Sequence, residues 1–151
     1  MKRSAALLVY KHAPDGIQVF LVHPGGPFWA KKDLGAWSIP KGEFDDSEDG
    51  LAAARREFRE ETGQQVDGDF IVLAPVKQRG GKMVHTWAIE GEVDEAAIRS
   101  NEFEMEWPPR SGRKARFPEI DQGRWFSIAE AKRRILSAQA PILDELAARV
   151  S

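Results

Sequence analysis

Apolar residues dominate positions 4–10 and return at positions 17–23, with Pro14-Asp15-Gly16 between the two runs. Short apolar runs bounded by turn residues predict two strands joined as a hairpin, the first of them buried on both faces. Residues 23–37 contain Pro24, Gly25, Gly26, Pro27 and Gly35 and read as loop. A short strand at 37–39 follows and stops at Pro40. The period then changes. From Asp46 and Ser47, both N-cap residues, to Thr62 there is no proline, and Leu51, Ala54 and Phe58 recur at helical spacing. Gly63 supplies the C-terminal stop.

Strand-like runs follow at 70–77 and 83–93, joined through Arg79, Gly80, Gly81 and Lys82, with a weaker one at 102–107. Residues 108–118 hold three prolines and a glycine among basic side chains and read as loop. Ser127 caps a helix over 128–137, and Pro141 begins another that runs to 150. Nothing repeats and no linker stands out. The expectation is a single domain over 1–151 of the α/β (α+β) class, a central mixed sheet packed between helices.

Composition narrows the chemistry. The chain has 151 residues, 42% of them apolar, which is enough for one sizeable core. Its 22 basic and 24 acidic side chains give a net charge of −2, so no basic excess exists to neutralise many phosphates of a nucleic acid. The absence of cysteine excludes disulfides, thiolate metal sites and a Cys nucleophile. The three histidines (His12, His23, His85) do not fall at HxxxH spacing. Carboxylates and carbonyls are therefore the expected ligands of any metal, which points to Mg²⁺ or Mn²⁺. The apolar run near the N-terminus spans about six residues before Lys11, too short for a signal core or a membrane span, so a cytoplasmic location is expected.

At 100° per residue, Glu57, Glu60 and Glu61 fall within an arc of about 100° on the predicted helix. Carboxylates so placed repel one another, and Arg56 and Arg59 offset part of that repulsion. One reading is a solvated acidic face. The other is a divalent-cation site, because hard cations take several oxygen ligands converging from rigid elements. Gly42, between Pro40-Lys41 and the capped helix, allows an exposed carbonyl and a close approach of phosphate.

Written as spacing, the segment is Gly42, five residues, Glu48, seven residues, then Arg56-Glu57-Phe58-Arg59-Glu60-Glu61-Thr62-Gly63. It resembles the Nudix box, GX5EX7REUXEEXGU, with U a bulky aliphatic residue. Every fixed charged and glycine position is filled; Phe58 stands at the first U and Gln64 at the last. The resemblance implies a Nudix-type α/β/α sandwich with the box as loop–helix–loop. It implies that Glu57 and Glu61 are the principal metal ligands, helped by the Gly42 carbonyl, with Glu60 a third ligand or the group that orients water. Glu48 would pair with Arg56 to hold loop against helix, and Gly63 would close the motif.

Polyphosphate esters repel anionic nucleophiles, so their hydrolysis needs cations on the oxygens and an acidified water. A further acid from outside the box often serves such enzymes, and Glu119, six residues ahead of Trp125, is the candidate here. That spacing, and Trp37-Ser38-Ile39-Pro40-Lys41-Gly42 before the box, are similar to the dinucleoside tetraphosphate hydrolase branch. Lys41 is then a phosphate contact. Arg110, Arg113, Lys114 and Arg116 crowd four positive charges into seven residues and offer a clamp for distal phosphates. Trp87, Trp107 or Phe103 could give a base its π-face, Trp37 and Trp125 read as core, and His85 shares a strand face with Trp87. The expected partner is a small nucleotide-type molecule. A dinucleoside polyphosphate or nucleoside triphosphate comes first. A sugar nucleotide, ADP-ribose, RNA cap or inositol polyphosphate is the alternative within catalysis, and nucleotide sensing without catalysis is the alternative outside it.

Overall fold

The computed structural model describes residues 2–150. Nine strands and three helices build it: β1 (Arg3–Ala13), β2 (Gly16–Pro24), β3 (Lys41–Phe44), α1 (Gly50–Thr62), β4 (Ile71–Val72), β5 (Val76–Lys77), β6 (Met83–Glu90), β7 (Glu102–Glu106), β8 (Lys114–Pro118), β9 (Ile120–Ser127), α2 (Ile128–Arg134) and α3 (Ala140–Val150). Seven strands form one mixed sheet in the order β4-β6-β1-β2-β9, with β3 added to β1 and β5 to β6. Strands β7 and β8 form a separate antiparallel ribbon.

The central strand explains the architecture. β1 is parallel to β6 along one edge, and its other edge is shared. Tyr10 to Ala13 pair with β2, whereas Arg3 to Ala6 pair with β3. Its side chains alternate between two cores, as a strand buried on both faces must. Ala6, Leu8 and Tyr10 join Ile142, Leu143 and Leu146 of α3 and Ala131 of α2. Ala5, Leu7 and Val9 join Ala53, Ala54 and Phe58 of α1. The result is the expected helix–sheet–helix sandwich, with α1 alone over the face that carries the acidic motif.

Several boundaries differ from the sequence reading, each for a local reason. Asp49, not Asp46 or Ser47, caps α1, because its carboxylate accepts the Ala52 N–H at 3.1 Å. Asp45 instead takes the Ser47 N–H into a turn before the helix. Residues 37–39 make only isolated bridges, Val22 to Ser38 and Trp37 to Ile135, and the strand in this region is β3. The run at 70–77 is split at Pro75, which has no N–H to donate, and Ala74 N–H goes to Glu145 instead. Strand β6 ends at Glu90, ahead of the expected 93. The supposed loop 108–118 is half strand, since Lys114–Pro118 pairs with β7. Helix α2 stops at Arg134 and a single 3₁₀ turn at Ser137–Gln139 follows.

Candidate active site

Helix α1 crosses β1 and β3, and this crossing gathers the motif. Gly42 of β3 lies directly beneath Glu57: a methyl group built on Gly42 would stand 2.0 Å from Glu57 Cδ. Lys41 N–H donates to Glu61 Oε1 at 3.2 Å. Arg56 binds Glu48 through Nε (2.8 Å) and Nη2 (2.9 Å), a two-pronged bond that ties the loop before the helix to the helix itself. Its Nη1 also donates to Glu57 Oε1 at 2.8 Å and to Glu60 Oε1 at 3.3 Å. Gly63, at φ 76°, ends α1 in the left-handed conformation, and its N–H returns to Arg59 O.

Glu119 arrives from the far end of the chain. Its N–H donates to Asn101 O (2.8 Å), while Asn101 N–H donates to Glu60 O (3.0 Å), so the base of the ribbon docks on the C-terminal end of α1. The electrostatics follow from this convergence. Burial pushes the Glu61 carboxyl up to about 8, with Glu57 and Glu119 adding to the effect against Lys41. Burial raises Glu57 as well; Arg56 pulls it back in part, and Glu60 and Glu119 push it further. Glu119 is raised by burial and by Glu60. Lys41 is lowered, first by burial and then by Lys82. Glu48 behaves oppositely, held low by the Arg56 hydrogen bonds. Glu48 is thus held low by Arg56, whereas Glu57, Glu61 and Glu119 are raised by burial beyond what their partners offset.

Among the described residues no three acidic or histidine side chains stand in a finished ligating cage. Arg56 occupies Glu57 and Glu60, and Glu61 leans on a backbone N–H. The donor set nevertheless suits a hard cation: every candidate ligand is oxygen, and the glycine leaves the backbone open at the carboxylates.

A cavity of about 230 Å³ opens beside this cluster, lined by Lys41, Glu61 and Glu119 at one end and by Pro24, Trp29 and Leu136 elsewhere. Sequence reading missed Trp29. The signal was an aromatic pair, Phe28-Trp29, inside a Gly/Pro-rich loop where core packing gives no reason for it.

Other expected residues lie apart from the carboxylates. His85 sits across β1 from Gly42, about 10 Å away by strand spacing, with its ring against Phe44. Burial and Arg3 lower its pKa. Trp87 packs under Gly50 at the start of α1. Lys114 pairs with Glu104 (3.7 Å) and Arg116 with Glu102 (3.2 Å) across the ribbon. Arg113 lies at the ribbon's exposed tip, where Trp107 N–H donates to its carbonyl. Phe103 rests on Gly26, and Trp107 meets Phe28 edge-on at 5.7 Å. Trp37 is buried as expected, and Trp125 only partly so. Gln64, at the aliphatic position of the motif, exchanges two 2.9 Å hydrogen bonds with the backbone of Asp94.

A pH dependence follows. Burial pushes the Glu61 carboxyl from its ordinary value of 4.5 up to about 8 in the fold. A carboxyl raised by folding destabilises progressively as pH climbs from the unfolded value through the folded one. The melting temperature of metal-free protein, relative to Glu61→Gln, should therefore fall by several degrees between about pH 5 and pH 8. Thermal melts of both proteins in EDTA check this; a constant difference across that range overturns it.

A family model described as NUDIX domain matches residues 1–146. No curated protein sequence matches significantly. Among solved structures, the NUDIX domain of Shewanella oneidensis NrtR, complexed with ADP ribose, is similar at TM-score 0.67 and 14% identity, covering 99% of this chain and 88% of that one. A C. elegans Ap4A hydrolase in a binary complex is similar at TM-score 0.65 and 19% identity, covering 98% and 96%. A structure from a study of MutT from Aliivibrio salmonicida and Vibrio cholerae reaches TM-score 0.59 at 17% identity, covering 98% and 97%. Among the described residues no helix is long and apolar enough to cross a membrane.

Proposed function

We propose that this chain, which belongs to the NUDIX domain family, is a cytoplasmic, single-domain, Mg²⁺- or Mn²⁺-dependent hydrolase of phosphoanhydride bonds acting on a dinucleoside polyphosphate or a nucleoside triphosphate. The observation that carries this reading is the convergence of Glu57, Glu60, Glu61 and Glu119 against the open backbone of Gly42. Glu57, Glu61 and the Gly42 carbonyl, with Glu60, would hold the cation. When bound, it would neutralise phosphate oxygens and acidify a water.

The chain's own groups do the rest. Glu119 faces the acidic cluster from a separate segment and is free to take the attacking water's proton; burial makes it a stronger base than an ordinary carboxylate. Arg56 fixes the directions of Glu57 and Glu60 while itself anchored on Glu48. Lys41, half-buried beside Glu61, offers its ammonium to a phosphate oxygen. Trp29 and Pro24 form an apolar wall for a group attached to those phosphates.

The preference for long polyphosphates rests on two features. The sequences around Lys41 and Glu119 resemble the dinucleoside tetraphosphate branch, and an Ap4A hydrolase is among the similar folds. The test is a hydrolysis screen of dinucleoside polyphosphates, nucleoside triphosphates, ADP-ribose, sugar nucleotides and capped RNA with Mg²⁺. Release from a polyphosphate substrate, abolished by EDTA and restored by Mg²⁺, is expected. Turnover of ADP-ribose alone overturns the substrate assignment, and full activity after exhaustive EDTA overturns the cation site.

Arg113 and Lys114 give a second handle on chain length. Exposed charge contacts are individually weak, so their effect should appear in combination. Arg113→Ala with Lys114→Ala is expected to raise KM for a dinucleoside tetraphosphate roughly tenfold and to leave ADP-ribose nearly unchanged. Equal changes for both substrates remove the clamp.

A further inference from the structure

The buried ring of His23, at the end of β2, has an acceptor at each nitrogen. Nδ1 lies 2.8 Å from Asp121 Oδ1 of β9, and Nε2 lies 2.6 Å from the Lys32 carbonyl oxygen. An ionised carboxylate and a carbonyl can only accept, so both nitrogens must donate, and a ring that donates twice is an imidazolium. Lys32 belongs to the loop that carries Trp29. That loop is secured near its ends by Gly25 N–H to Glu119 O (2.8 Å) and by Asp33 to Arg134 (2.8 Å). Residues 28–35 of this loop are all exposed, and the bond from His23 falls within this stretch. Lys32 N–H in turn closes on Trp29 O at 3.0 Å.

We propose that His23 is a positioning residue: carrying both protons, it ties the Trp29 loop to β9 and holds one wall of the cavity beside Glu61 and Glu119. The charged groups around the ring are Lys31, Lys32 and Asp33 from the loop, Asp121 and Arg124 from β9, and Arg134 from α2. Asp33 is engaged by Arg134 and by Trp37 Nε1, so Asp121 is the carboxylate that answers the ring. Loss of one ring proton leaves either Asp121 or Lys32 O without its donor. The loop then loses a charge-assisted bond and Trp29 loses its fixed place.

The Asp121→Asn variant separates this device from mere packing. An amide can donate to Nδ1 or accept from it, so in that variant a neutral ring satisfies both neighbours. Hydrogen exchange at the Lys32 and Ala36 amides, corrected for intrinsic rates, reads the loop directly and needs no substrate. NMR of the ring, assigned through His23→Ala, reads its proton. In the wild type, protection should fall roughly tenfold at the pH where His23 loses its proton. In Asp121→Asn the protection should stay level across the same range, and His23→Ala should lack it throughout. The substrate arm rests on the hydrolase reading above: KM should follow the exchange step while kcat holds steady. Protection that ignores His23 protonation, or an undiminished step in Asp121→Asn, overturns the proposal. If no substrate turns over, the exchange result still stands on its own.

Discussion

Glu61→Gln and Glu57→Gln are each expected to lower kcat on the order of 10³-fold or more while the protein stays folded. Each change removes a negative oxygen from the group that faces the proposed cation. The geometry adds a second sign to the prediction. Glu61 is pushed up to about 8 by burial and by its acidic neighbours, so its ionised form is a burden on the metal-free fold. The amide keeps the shape and relieves the repulsion, so the melting temperature in EDTA should rise as activity falls. A residue that mattered only for folding would lose both together. Kinetics at saturating Mg²⁺ and thermal melts in EDTA check the pair. A kcat within tenfold of wild type would sink the assignment of these carboxylates.

Gly42→Ala should be the second large effect, and it acts without removing any charge. The added methyl carbon would lie 2.0 Å from Glu57 Cδ and 2.2 Å from Oε2, far inside van der Waals contact. The strand beneath is held by its pairing with the central strand, Gly42 opposite Ala5 of β1. The carboxylate is the far end of a flexible side chain, so it is the group that yields, at the cost of its bond to Arg56. Little stability should be lost, but the displaced oxygen should cost about 10²-fold in kcat. Calorimetric titration with Mg²⁺ should show weaker binding to the variant. A kcat within threefold of wild type, with unchanged Mg²⁺ affinity, would show that Glu57 does not need this close approach.

Local signals survived the passage from sequence to structure best. The run at 4–10 is apolar at both parities and is buried on both faces, because each parity meets its own helix layer. Of the stripe Leu51, Ala54 and Phe58, the last two are buried and Leu51 only partly so, and Glu57, Glu60 and Glu61 of α1 face one another closely enough to interact. Strand β3 was hidden because Lys41-Gly42-Glu43-Phe44 has the composition of a turn; pairing with β1, not propensity, makes it a strand. Strand β8 was hidden for another reason. Its alternation is only two apolar residues deep, Ala115 and Phe117 between Lys114, Arg116 and Pro118, and it sits in a stretch whose prolines and basic side chains read as loop. The helix cap was misplaced because three capping residues compete within four positions, and only geometry selects Asp49. The His23 tie joins positions 98 residues apart, beyond any local pattern.

The pairing of β2 with β9 has a bearing on when this protein becomes itself. Residue 18 pairs with 127 and residue 23 with 122, so the β1–β2 hairpin keeps an unfilled edge until a strand about a hundred residues further along the chain is available. Long-range pairing of this kind carries a large loop-closure cost and makes folding slow. Glu119 immediately precedes β9 and cannot reach Glu57, Glu60 and Glu61 before that edge is filled. Repulsion among Glu57, Glu60 and Glu61 is present as soon as α1 forms, whereas the part that Glu119 adds arises only when β9 docks. Nascent chains lacking the final strand carry the complete motif but not the fourth carboxylate facing it.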